Sequence, residues 1–152
     1  MMESTCIYLI DQGKWLLMYR NRKPDDINEG KWIGVGGKSL PGETPEECAI
    51  REFREETGME PMEMKLAGTV DFCYDTREME RIYVFLCNGV SGELKECEEG
   101  TLAWIDEDAV LDLPLWEGDK LFLKKIINRE GMPFQMTLFY DDKGNLLKAE
   151  QQ

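Results

Sequence analysis

The order of strand-like and helix-like segments predicts an α+β or α/β protein, a mixed sheet with helices packed on it. Three observations carry this. Short apolar runs separated by turn signals recur from residue 5 to residue 149. A well-marked helix lies between Thr44 and Gly58. Residues 117–128 place apolar side chains at 121, 122, 123, 126 and 127, the spacing of a second helix with one buried face. A chain of 152 residues is expected to form one domain, residues 1–152, with a substantial core.

Each element has a local reason. Residues 5–10 and 14–20 are apolar runs separated by Asp11-Gln12-Gly13, a hairpin signal. Residues 21–30, NRKPDDINEG, are polar and turn-rich, hence a loop. Residues 32–37 read as a short extended, glycine-rich segment. In the helix that follows, Thr44 suits the N-cap, Pro45 the first helical position, and Glu47 completes a T-x-x-E capping box. Gly58 stands where a left-handed C-terminal cap belongs. Helical periodicity puts Ala49, Ile50 and Phe53 on one side, toward the core. It puts Glu52, Glu55 and Glu56 on another, toward a cleft. Residues 64–74 and 81–87 read as strands, and 92–95 and 101–105 as shorter ones. Asp106 or Asp108 caps a brief helix ending before Pro114. Residues 134–140 and 146–149 form a closing hairpin around 141–145.

Composition narrows the function. With 42% hydrophobic and 32% charged residues, the chain reads as an ordinary soluble globular protein. No apolar run approaches the ~20 residues of a membrane span, and no basic region precedes the first apolar run, so neither a membrane partner nor a signal peptide is expected. Five scattered cysteines without CxxC or CxxH spacing argue for reduced thiols in a cytoplasmic protein. Histidine is absent, which excludes a Ser-His-Asp triad, a Cys-His pair and histidine metal ligands. Acid–base chemistry falls to carboxylates, Lys, Tyr or Cys. A net charge of −13 disfavours a nucleic-acid polymer as partner. A small polyphosphate remains open if metal ions bridge the two negative partners.

The acids at 52, 55 and 56 are the strongest chemical signal. Like charges three and four apart on a helix repel by a few tenths of a kcal/mol per pair, so a helix built only to fold would spread them. Concentrated carboxylates suit a hard divalent cation with oxygen ligands, above all Mg²⁺. A glycine-bearing loop feeding this helix suggests a site for metal-bound phosphates.

With U an apolar residue, residues 37–59 read G-x5-E-x7-R-E-U-x-E-E-x-G-U. Gly37, Glu43, Arg51, Glu52, Phe53, Glu55, Glu56, Gly58 and Met59 fill every defined position. This segment resembles the Nudix box of hydrolases that cleave nucleoside diphosphates linked to another group. The resemblance implies an α+β Nudix fold, an α/β/α sandwich around a central mixed sheet. Gly30-Lys31-Trp32 and the segment LDLPLWEGD at 111–119 extend it to the MutT-like branch that removes oxidised purine triphosphates.

By that resemblance, Glu52, Glu55 and Glu56 hold Mg²⁺, with Mn²⁺ as a substitute, and Glu52 and Glu56 lead. The carbonyl of Gly36 or Gly37 is a further ligand, because a glycine lets the main chain approach closely. Arg51 and Glu43 pair to orient the carboxylates. Glu99, with Glu98 next, supplies a distal acid as ligand or base. Lys38, Arg20 or Arg22 meets a phosphate. Trp116 stacks on the base, Asp119 bonds its edge, and Phe72 and Tyr74 line the pocket. The implied reaction converts a nucleoside triphosphate and water to monophosphate and pyrophosphate, with 8-oxo-dGTP the leading substrate, in a monomer or homodimer.

Two positions depart from the branch. A base-reading asparagine found in some members is Ile33 here, and a pair of adjacent aspartates is Gly118-Asp119. These departures keep ADP-ribose, a dinucleoside polyphosphate or a pterin triphosphate open as substrates. A nucleotide sensor without turnover is a further reading, although nothing in the box is broken.

Overall fold

The computed structural model describes residues 1–152. In chain order it contains β1 (Met2–Asp11), β2 (Lys14–Tyr19), β3 (Trp32–Ile33), α1 (Pro45–Thr57), β4 (Glu60–Pro61), β5 (Met64–Tyr74) and β6 (Glu80–Asn88). These are followed by β7 (Val90–Ser91), β8 (Thr101–Asp106), a 3-10 helix (Glu107–Asp112), α2 (Asp119–Asn128), β9 (Phe134–Tyr140) and β10 (Leu146–Gln151). Eight strands make one mixed sheet in the order β10-β9-β5-β6-β1-β2-β3, with β8 on the other edge of β2. The pairs β1–β6 and β5–β9 are parallel. The first hairpin closes on Gln12 and Gly13, both at positive φ (51° and 76°), which matches the twist of antiparallel strands.

Alternation along β1 sends Ile7 and Leu9 to one face of the sheet and Tyr8 to the other. The first face packs with Leu16, Phe85, Ala49 and Phe53 of α1. The second packs with Val70, Val84, Leu138 and Phe122, Leu123 and Ile126 of α2. The two helices therefore cover opposite faces, which is the expected α/β/α sandwich. Phe53 is fully buried, a contribution of about 1.5–3 kcal/mol that also fixes the rotation of α1 about its axis.

Four local expectations need correction. Residues 92–95 are not a strand. The pairing lies at β7, against β4, which the sequence reading missed. Gly89 and Gly92, at φ 98° and 100°, bracket that two-residue ladder and turn the chain at each end. The helix expected from residue 117 begins at Asp119, after the Asp119 amide has closed a turn on the Trp116 carbonyl at 3.0 Å. The brief helix before Pro114 is a 3-10 turn, and Asp106 at its start makes no side-chain cap. On α1, Ile50 is only partly buried while Glu56 is buried, so the acidic ridge is not uniformly exposed.

Candidate active site

Helix α1 is aimed by its ends. The Thr44 hydroxyl accepts the Glu47 amide at 3.2 Å and the Glu47 carboxylate accepts the Thr44 amide at 2.9 Å, the capping box read from sequence. Gly58 closes the helix at φ 74°. The strand-like segment after β3 runs beside β1, joined through Ile7↔Val35 and Ser4↔Lys38. There Gly36 passes too close to the Thr5 backbone for any side chain, and Gly37 lies against the Glu52 carboxylate. A Cβ at Gly36 would lie 1.9 Å from the Thr5 carbonyl oxygen, and one at Gly37 would lie 2.5 Å from the Glu52 carboxyl carbon. The glycine loop and the acidic ridge thus form one wall.

Arg51 organises that wall. Its Nε and Nη2 donate to the two Glu43 carboxylate oxygens at 2.7 and 3.0 Å, a bidentate pairing. Nη1 donates to Glu52 at 2.8 Å and reaches Glu55 at 3.4 Å, and Nη2 also donates to the Lys38 carbonyl at 3.1 Å. The guanidinium beside it and the Leu40 amide hold the Glu43 carboxyl below the usual carboxylate range. Burial raises Glu52, against the pull of Arg51. Glu55 is mostly exposed at the rim.

Glu56 is different. It is 6% exposed. Its Oε2 accepts the Gly36 amide at 3.1 Å, while its buried Oε1 has no partner. Burial first, then the neighbouring Glu99 carboxylate, push its pKa up to about 9. Glu99 goes the other way. Burial would raise it, but Lys23 at 2.8 Å and the charge of Arg20 bring it below its ordinary value. Burial and the nearby Glu99 carboxylate thus favour the protonated form of Glu56, while Lys23 and Arg20 favour the ionised form of Glu99. Gly100 brings Glu99 here, since a Cβ at 100 would meet the Tyr19 carbonyl oxygen at 2.3 Å. Glu98 is exposed and lies off the cleft.

No three acids meet at one point as the side chains stand, because Arg51 draws Glu52 and Glu55 toward itself. The donors nevertheless suit a hard cation. A buried carboxylate oxygen without a partner is costly unless something neutralises it. The Gly36 carbonyl accepts no backbone hydrogen bond, whereas the Gly37 carbonyl is taken by the Thr5 amide at 2.9 Å. An all-oxygen set of this kind fits Mg²⁺ or a similar ion.

A cleft of about 760 Å³ runs from this wall to an aromatic wall. Trp116, Phe72, Tyr74 and Asp119 all line it, as do Lys38, Arg20, Lys23 and Glu52. Trp116 is 4% exposed. Phe72 and Tyr140 meet it edge-on, with ring centroids at 5.2 and 4.9 Å, and Lys31 lies 4.8 Å from its ring centroid. Most of the indole is thus used in packing. Burial pushes Asp119 up to about 7, opposed by the charge of Lys31. A second aspartate at Gly118 would have to displace its neighbours, because a Cβ there would sit 2.6 Å from both Leu138 and the Tyr140 hydroxyl.

The cations are distributed unlike the sequence expectation. Arg20 is tied to Asp26 at 2.7 Å and Glu99 at 3.3 Å. Arg22 donates to the Cys97 carbonyl at 2.7 Å and does not line the cleft. Lys38 lines the cleft without an ion pair. Lys23, which the sequence reading passed over, reaches the site through Glu99. Asn28 was also missed; its Oδ1 accepts the Trp116 Nε1–H at 2.8 Å. A pairing across 88 residues leaves no local signal to read.

The cleft thus joins a wall of carboxylates to an aromatic wall. Residues 2–126 match the family model described as the NUDIX domain, and the chain belongs to the Nudix family. It is 28% identical over 127 residues to the "Oxidized purine nucleoside triphosphate hydrolase" of Danio rerio, covering 83% of this chain and 80% of that one. It is 29% identical over 136 residues to the uncharacterized Nudix hydrolase YvcI of Bacillus subtilis, covering 85% and 80%. The crystal structure of a MutT protein from Bacillus halodurans superposes with a TM-score of 0.88 at 27% identity, covering 100% of this chain and 98% of that one. The chain is a Nudix pyrophosphohydrolase of a family that acts on small-molecule nucleotides and generally uses divalent metal ions. No helix is long and apolar enough to cross a membrane.

Proposed function

We propose that this chain hydrolyses a nucleoside triphosphate to monophosphate and pyrophosphate with Mg²⁺, and that oxidised purine nucleotides, 8-oxo-dGTP above all, are its substrates. The observation that carries the reading is the Glu56 carboxyl. It is buried against the glycine loop with one oxygen unpartnered, bonded to the amide of Gly36, which with Glu52 and Glu99 lines one end of a cleft whose other end is aromatic. The name of the relative from Danio rerio supports the substrate class.

In this reading Glu52, Glu56, Glu99 and the Gly36 carbonyl hold the ion, with Glu55 at the rim and Gly37 giving room to the Glu52 carboxylate. The ion supplies charge neutralisation and a more acidic water, with Mn²⁺ able to substitute. Arg51 and Glu43 orient Glu52, as supporting hydrogen bonds commonly orient metal ligands. Glu99, held ionised beside Lys23, accepts the proton of the attacking water. Lys38 and Lys23 face the phosphates, and Arg20 sets Glu99 in place. Phe72, Trp116 and Asp119 form the base end. The chain works as one unit, residues 1–152, as a monomer or homodimer. A cytoplasmic location is consistent with its five free cysteines.

Product analysis on oxidised and normal triphosphates with Mg²⁺ tests this. Pyrophosphate released from an oxidised purine triphosphate in preference to the others is the expected result. No triphosphate hydrolysis, or a preference for ADP-ribose over every triphosphate, overturns it.

A further inference from the structure

The loop between β2 and β3 carries a polar side chain that the reaction above does not use. Asn28 lines the cleft, and its Oδ1 accepts the Trp116 Nε1–H at 2.8 Å. An indole nitrogen can only donate. The amide oxygen must therefore face Trp116 and the Nδ2 amino group must point elsewhere, so the partner's chemistry fixes the amide's direction. Nδ2 has no acceptor among the side-chain hydrogen bonds, and it is not sealed from solvent.

The residue is also fixed from below. Its amide donates to Asp26 Oδ1 at 3.2 Å, and Asp26 Oδ2 accepts Arg20 Nε at 2.7 Å. Its carbonyl accepts the Lys31 amide at 3.0 Å, and the Trp32 amide donates to the Pro114 carbonyl at 2.9 Å. The loop is thereby pinned to the segment that carries Trp116. A donor held this way loses little freedom on meeting a ligand, and a preset donor discriminates strongly between partners.

We propose that Asn28 is a specificity-determining residue whose Nδ2 donates a hydrogen bond to a ring carbonyl of the substrate's purine, selecting oxopurine over purely amino-substituted purine nucleotides. The proposal rests on the reading of the cleft as a nucleotide site. An amino group offered to Nδ2 sets donor against donor, whereas a carbonyl at C6 or C8 completes the bond.

Calorimetric binding of GMP, 8-oxo-AMP and AMP to the wild-type chain, Asn28→Asp and Asn28→Ala tests it. Aspartate keeps the acceptor for Trp116 and removes the donor, and alanine controls for the added charge. Wild type is expected to bind at least one carbonyl-bearing nucleotide about 10-fold tighter than AMP. Both variants should erase that ratio, and the nucleotide whose affinity collapses identifies the carbonyl read. Equal wild-type affinity for all three, or a ratio that survives in either variant, overturns the proposal. The two readings fail separately. Binding with this preference but no pyrophosphate release from triphosphates contradicts the hydrolytic substrate and leaves Asn28 in its role. Hydrolysis whose carbonyl preference is unmoved by both variants contradicts Asn28 alone.

Discussion

The two ends of the cleft are built in opposite ways. The acidic end comes largely from one contiguous stretch, residues 36–56, in which a capped helix and a glycine loop share a wall. The aromatic end is assembled from β5, the loop after β2, the start of α2 and β9, brought together only by the sheet. The first crowds carboxylates around Arg51 and leaves one buried oxygen without a partner. The second is already satisfied, with Trp116 hydrogen-bonded and packed on three aromatic rings. A site can therefore hold its reactive energy at one end and its rigidity at the other.

If that contrast is right, substitutions at the acidic end should act on kcat and those at the aromatic end on KM and selectivity. The largest expected effect is Glu56→Gln, a fall in kcat of about 10³-fold, measured by pyrophosphate release. The same variant has a stability signature. Glu56 titrates at about 9 in the folded chain against an ordinary 4.5. The metal-free fold therefore keeps a proton that the unfolded chain has lost, and stability declines as pH rises from about 4.5 to 9. Glu56→Gln should remove that decline and be the more stable form at pH 8 without metal, as read by thermal melts.

Arg51→Ala comes next, with a loss of about 10- to 100-fold in activity or metal affinity. Glu52 and Glu55 lose their common partner there, and Glu43 is left unpaired. A loss confined to KM would contradict its placement at the acidic end.

Both predictions concern a helix that was legible in the sequence. Thr44, Pro45, Glu47 and Gly58 announce the helix because caps are local chemistry, and Gly36 and Gly37 announce close approach. What sequence could not supply was the burial of Glu56, which depends on β1 and the glycine loop closing over it. Nor could it show that Arg20 is spent on Asp26 and Glu99, nor that Asn28 reaches Trp116. The strand misplaced at 92–95 has a similar cause. Its true partner, β4, is two residues long, too short for a pattern to show.

At the aromatic end, Asp119→Asn should alter base selectivity by up to about 10-fold with little change in kcat. Asp119 titrates at about 7 against 3.8, so it too retains a proton on folding. Stability should fall between about pH 4 and 7 in wild type and stay level there in the variant. The smallest effect is Trp116→Phe. It keeps the ring packing and loses one hydrogen bond, at a cost of about 0.5–1.5 kcal/mol in stability, and should shift KM a few-fold.

The central claim is that the proton on Glu56 occupies the place of a divalent cation. Calorimetric titration of Mg²⁺ at pH 7, in two buffers with different ionisation heats, tests it most directly. Wild type should release about one proton for each ion bound, and Glu56→Gln should release none. Binding heats that do not depend on the buffer, or no binding at all, would contradict the account.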